Sequence, residues 1–314
     1  MAHPKMVKAI LLLYFCSLIT VSSFAGNDIL LRLKLNKGDV TKYRSENSQV
    51  ITQTVQGMNQ VVDQSQIVEY TIHVADSDGD GNVLVDIVYN RIVVEITANG
   101  MEMKFDSDSN NESANQNPQF MGFAALVGKS LRANISPLGE VLEVTGVEEM
   151  LEKMLTQIAG DNAGMKAQLK TMLDSNFSED AVKQMFSGSF IEFPEGSIKE
   201  NKSWSNNHSI KNQFTLKVMN NYTLKGIDEK IASIDYTSTL NTIPGDKTMM
   251  QGMEMVFNLM GTQSGNIKVD VYTGKIVETT QKQNITGNVA ADMGGQTMNI
   301  PMTISSQSKT SVME

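Results

Sequence analysis

Two short patterns recur in this chain, in the same order. Gly100-Met101-Glu102-Met103-Lys104-Phe105 returns as Gly252-Met253-Glu254-Met255-Val256-Phe257. Downstream of each copy comes a second pair, Gly139-Glu140-Val141-Leu142-Glu143-Val144-Thr145 and Gly274-Lys275-Ile276-Val277-Glu278-Thr279-Thr280. Matched signatures in one order predict a duplicated unit. The residues around them say what kind of unit it is. Val68, Tyr70, Ile72 and Val74 fall on one face of an extended chain, with Glu69, Thr71 and His73 on the other. A period of two belongs to a half-buried antiparallel sheet.

The same alternation predicts strands over Ile29–Leu35, Val40–Val55 and Gln60–Val74, the last entered through a turn at Gly57-Met58-Asn59. Val83, Val85, Ile87 and Tyr89 share a face, but after Asn90-Arg91 the parity slips to Ile92, Val94 and Ile96. A one-residue slip predicts a β-bulge. Asp106–Asn117 reads as a polar loop and Pro118–Val127 as a short helix. Lys129–Ile135 and Glu140–Thr145 form a hairpin across Ser136-Pro137-Leu138-Gly139, where proline sets φ and glycine accepts a positive value. Later strands are expected at Phe190–Pro194, around Phe214, Leu216 and Val218, through Ala232, Ile234 and Tyr236, and through Ile267, Val269 and Val271. Ile276–Ile285 follows, then a loose loop at Asn288–Gln296 and a last strand at Met298–Ser308. Lys202-Ser203-Trp204 answers Gly38-Asp39 to Tyr43 as an aromatic just after a polar turn.

Between the copies the period changes to that of a helix. Val147, Met150, Leu151, Met154, Leu155 and Ile158 share a face, with Thr145 as the expected N-cap and Glu148 three residues on. Met165, Leu169, Met172 and Leu173 mark a second helix, and Val182, Met185 and Phe186 a third. The expected fold is mainly β (α+β). Two related antiparallel β-rich halves, residues 26–146 and 187–314, form a curved sheet or half-barrel, with the helical segment 147–186 packed on it because its apolar stripes need a partner.

Residues 1–25 read as an export signal. Lys5 and Lys8 precede an apolar run, Ala9–Ile19, that is too short for a membrane span, and Ser23 and Ala25 place small residues for cleavage before Gly26. A lipoprotein signal using Cys16 is the alternative; Phe15 before it and the surrounding apolar run fit that pattern poorly. No other stretch is long and apolar enough for a membrane helix. Cys16 is the only cysteine, so removing the signal excludes disulfides, thiolate nucleophiles and zinc–cysteine sites. The 35 acidic residues outnumber the 26 basic ones and no basic run stands out, which argues against nucleic acid as a partner.

Chemistry-bearing patterns are few. Asp76-x-Asp78-x-Asp80-Gly81 matches the first half of a calcium loop, in which alternate oxygen ligands surround the ion. The twelfth position, where a bidentate glutamate belongs, is Ile87, and an acidic hairpin turn explains the same residues. Met101/Met103 and Met253/Met255, with Met249 and Met250, offer thioethers to a soft metal. They serve equally as adaptable packing or as the lining of a deformable apolar site. His73 and His208 lie in no metal-binding or nucleophile motif and read as surface histidines. Carboxylates are numerous enough that a hydrolase using a pair of them stays open. The sequence implies no cofactor.

Lys37-Gly38-Asp39, the Asp80-Gly81-Asn82 hairpin, the Met-rich turn and Val127-Gly128-Lys129-Ser130 leading into Ser136–Thr145 carry a resemblance. They resemble a domain-of-unknown-function family of secreted bacterial proteins, found mainly in Bacteroidota-type Gram-negative bacteria. The resemblance covers most of the chain after the signal, more clearly before Leu155. It implies an envelope location, periplasmic or extracellular, and no activity. In outline, two β-rich halves around helices are also similar to half-barrel lipid and lipoprotein carriers of the envelope. The expected function is therefore non-enzymatic: binding an apolar ligand, a lipid or another envelope protein. A structural protein with a filled core is the alternative.

Overall fold

The computed structural model describes residues 28–109, 120–176, 182–183, 186–187, 189–211, 214–250, 253–292 and 297–314. The expected export signal, Cys16, the loop residues 110–119 and Gly252 lie outside them, as does most of the third helix.

The first half supplies β1 (Val40–Val55), β2 (Met58–Ser77), β3 (Val83–Ala98), β4 (Met101–Asp106), helix α1 (Met121–Leu126), β5 (Ser130–Ile135) and β6 (Val141–Thr145). Helices α2 (Val147–Ala159) and α3 (Ala163–Asn176) follow. The second half supplies β7 (Ser203–Lys211), β8 (Thr215–Asp228), β9 (Ile231–Thr242), β10 (Lys247–Met250), β11 (Met253–Asp270), β12 (Ile276–Asp292) and β13 (Thr297–Val312). All thirteen strands of the described residues join one antiparallel sheet in the order β6-β5-β3-β2-β1-β13-β12-β11-β9-β8-β7, with β4 beside β3 and β10 beside β11. The sheet is open: β6 and β7 are its two edges.

Register explains the repeated signatures. Ala98, Ile96 and Val94 pair with Met101, Met103 and Phe105, while Met250 and Thr248 pair with Met253 and Met255. The two Gly-Met-Glu-Met copies are thus the outgoing arms of equivalent hairpins. Phe105 stacks on Phe120 at 5.6 Å and Phe257 on Phe214 at 4.4 Å. Together β4 and β5 run along one edge of β3, interrupted by α1. Their counterpart, β11, is continuous. The second signature opens β6 in one half and β12 in the other, each time behind a glycine of positive φ, Gly139 at 86° and Gly274 at 69°.

The parity slip is a bulge. Glu69 pairs with Arg91 and Tyr70 with Tyr89, leaving Asn90 extra on β3. On the inner face, aromatic rows cross three strands in each half: Tyr43–Tyr70–Tyr89 and Trp204–Tyr222–Tyr236, the rings 5.2–6.4 Å apart. Such cross-strand pairs pin register on a buried face.

Four expectations are corrected. Ile29–Leu35 is extended but makes only the isolated bridge Ile29–Ile198, because its amides bond to turns instead of a neighbouring strand. Phe190–Pro194 is irregular for the same reason; it buries Ile191 and Phe193 and donates Phe193 N–H to Leu138 O at 2.8 Å. The loop expected at Asn288–Gln296 is strand as far as Asp292, since Val289 and Ala291 continue the buried face. At the start of α2 the cap is Gly146, at φ 87° and with no side-chain bond, in place of Thr145. Glu148 and Glu149 in the first turn favour the helix dipole there. The expected apolar face of α2 is buried at Val147, Met150, Leu151, Met154 and Leu155, worth roughly 1.5–3 kcal/mol for each large side chain.

Candidate ligand-binding site

The segment Leu31–Asn36 crosses the proximal end of the sheet, where the helices and the larger core lie. Leu33 N–H bonds to Pro137 O and Lys34 N–H to Thr273 O, both at 2.8 Å. Adjacent residues thereby tie the β5–β6 turn of the first half to the β11–β12 turn of the second. The bonded residues of these two turns are 136 positions apart in sequence, and each turn leads into a copy of the repeated signature. The close approach is possible because each turn has a glycine. A Cβ on Gly139 would be driven into the Ile191 carbonyl, and one on Gly274 into the carbonyl of Arg32.

Between the crossing segment, the start of β1, the end of β2 and the Ser189–Phe193 segment lies a cavity of about 320 Å³. Its buried wall is Leu33, Tyr43, Ile72, Val74, Ile191 and Phe193. Exposed Asn36 and Val40 mark its mouth, where Asp39, Thr41 and Lys275 also stand. Tyr43 is held by its hydroxyl, which donates to Ile276 O at 3.0 Å, and burial pushes its pKa up. Lys275 Nζ is 3.5 Å from Thr41 Oγ1. Asp39 accepts the Asn36 N–H at 2.8 Å. An apolar chamber with a few convergent polar groups at one end is the usual form of a small-molecule site.

Further along the strands, the inner face turns polar. Ser306, Gln283, Gln263 and Tyr236 form one hydrogen-bonded row. Ser238, Asn220, Asn206 and Glu192 form another, at 2.5, 2.9 and 2.6 Å. Asn220, Ser238 and Ser306 are buried, and among the described residues no buried side-chain nitrogen or oxygen lacks a partner. Beyond these rows the face is apolar again, with Phe257, Leu259, Ile285 and Val289 packed by Met255, Ile300, Met302 and Ile304.

The candidate calcium residues are placed as follows. Asp78 Oδ1 accepts the N–H groups of Asp80 and Asn82, each at 2.9 Å, and Oδ2 accepts the Asn82 amide at 2.7 Å. Those bonds, the Asn82 side chain first, hold its carboxyl below the usual range. Asp76 pairs with Lys37 at 3.3 Å. The turn is thus closed by its own amides. Among the described residues no three His, Cys, Asp or Glu side chains converge to hold a metal. Of the methionines, Met101 and Met249 are exposed, and pairing of Met249 with Glu254 puts it on the face opposite Met253 and Met255. His73 is exposed 4.0 Å from Asp86; His208 is exposed on β7.

Sequence reasoning missed the cavity. Its walls come from segments read as ordinary strands, and the paired glycines Gly139 and Gly274 read only as marks of a repeat.

Residues 80–276, well over half of the chain, match the model of a family of unknown function, DUF6263. The chain belongs to that family. The DUF6263 match runs from the β2–β3 turn through the helices to the β11–β12 turn, so it takes in part of each half. No curated protein matches. Among solved structures, this DUF6263 chain is similar to lipovitellin, in a structure concerned with lipid–protein interactions: 9% identity and a TM-score of 0.46, over 90% of this chain and 26% of that one. It spans about a quarter of the lipovitellin chain. An outer membrane channel from Pseudomonas putida F1 is similar at 9% identity and a TM-score of 0.25, over 90% of this chain and 97% of that one. No helix among the described residues is long and apolar enough to cross a membrane.

Proposed function

We propose that this protein is an exported, non-enzymatic envelope protein that binds an apolar ligand in the cavity between its two halves. The observation that carries this reading is the chamber itself, about 320 Å³ with Tyr43, Ile72, Val74 and Phe193 as its wall. That volume is at the lower end of the roughly 300–1,000 Å³ of small-molecule sites. It suits one acyl chain better than a two-chain phospholipid. The lysine-flanked apolar run before Gly26 supports export.

Native mass spectrometry of the protein purified from its own envelope tests the reading. A retained apolar molecule, lost when Val74→Trp fills the chamber, is the expected result. A bare protein mass, with no saturable uptake of an added apolar probe, would sink it.

A further inference from the structure

Lys275 is half-buried at the mouth of the cavity and makes no ion pair among the described residues, although acidic side chains outnumber basic ones in this chain. The nearby Glu278 does not supply its counter-charge, being held instead by Lys268 at 2.8 Å and Lys309 at 2.9 Å. The nearest polar atom given to the Lys275 ammonium is Thr41 Oγ1, at a long 3.5 Å. Asp39 is the one carboxylate in the cavity lining. One of its oxygens is engaged by the Asn36 amide inside the turn, and it lies beyond ion-pair distance of Lys275. An ammonium beside an apolar chamber, with no carboxylate of the lining within ion-pair distance, is placed to receive an anionic group.

We infer that the ligand is a single-chain amphiphile with an anionic headgroup, a carboxylate of the fatty-acid kind. Resting on the apolar-ligand reading above, the inference adds the head. The carboxylate sits at the mouth, where Lys275 Nζ donates a charge-assisted hydrogen bond and the Thr41 hydroxyl donates a second. The chain runs inward along Tyr43, Ile72 and Val74. A bond to a charged group is about twice as strong as a neutral one, and its loss corresponds to about ten- to hundredfold in affinity. The signature residue after Gly274 thereby acquires a role that its counterpart after Gly139, Glu140, does not have.

The test is isothermal titration of the delipidated protein with laurate, its neutral analogue dodecanol and its cationic analogue dodecyltrimethylammonium, all below their aggregation concentrations. Laurate is expected to bind about tenfold or more tighter than dodecanol, and the cation weakest. In Lys275→Gln, laurate should weaken to the level of dodecanol, dodecanol should change less than about twofold, and Lys275→Arg should restore most of the difference. Equal binding of laurate and dodecanol by the native protein overturns the headgroup assignment and leaves the apolar site standing. Binding of none of the three overturns both. If Lys275→Gln does not fold, the ranking of the three head charges on the native protein decides alone.

Discussion

The carbonyl of Arg32 occupies the place where Gly274 would carry a side chain. The contact joins the crossing segment to the β11–β12 turn, and Gly274 also has a φ of 69°. Gly274→Ala therefore meets both a steric wall and a left-handed backbone, at an expected loss of about 2–4 kcal/mol. Gly57, at φ 81° with open space around its Cβ position, isolates the backbone share: Gly57→Ala should cost about 1–2 kcal/mol. Urea denaturation of the two variants measures the difference.

Tyr43 ties the inner wall of the cavity to β12 through its bond to the Ile276 carbonyl. Tyr43→Phe keeps the stack on Tyr70, 5.3 Å away, and should lose about 1 kcal/mol. Tyr43→Ala also removes the ring and should lose about 3–5 kcal/mol. A single, cooperative shift of the melting curve in both variants is the expected form.

Asn220 is buried between two partners, accepting from Ser238 Oγ and donating to Asn206 Oδ1. Asn220→Ala strands both, with an expected cost of about 1–3 kcal/mol. Because Ser238 depends on the same residue, Asn220→Ala and Ser238→Ala together should cost less than the two separately. Additive losses in that double-mutant cycle would contradict a shared network.

Glu278 lies between two lysines on the outer face. Its hydrogen bond from Lys268, then that from Lys309, holds its carboxyl below the usual carboxylate range. With the folded value depressed, the stabilisation is fully present above the ordinary glutamate value of about 4.5 and is lost as pH falls through the folded value. Glu278→Gln should therefore cost about 0.2–1 kcal/mol at pH 7. Below pH 4 the gap to the native protein should narrow, and at pH 7 it should shrink in high salt.

The Asp78 carboxylate closes the β2–β3 turn by accepting three hydrogen bonds from Asp80 and Asn82. Asp78→Ala should lose about 1 kcal/mol, equally in calcium and in chelator if the amides alone employ it. A larger loss in calcium would point to an ion at this turn.

Much of the sheet was legible in the residues. The Asn90 bulge followed from a change of parity, and the equivalence of Met103 with Met255 followed from matched signatures, because strand pairing repeats every two residues and a duplicated hairpin keeps its register. The segments around Ile29–Leu35 and Phe190–Pro194 were misread because an apolar alternation shows only that one side is buried. It does not show whether the backbone bonds to a strand or to a turn. The length of β12 was underestimated because Gly287 and the small residues Ala290 and Ala291 weaken the apolar signal where the ladder continues.

Composition and period by themselves determined a mainly β chain of two related halves, since local alternation is a property of neighbouring residues. Only the tertiary structure decided where the halves meet. The cavity, its tyrosine wall and the placing of the Lys275 ammonium at its mouth arise from Leu33 and Lys34 bridging turns that lie 136 positions apart, at Pro137 and Thr273. Long-range closure of this kind leaves no periodic trace in sequence, because it depends on how a curved sheet brings distant turns together.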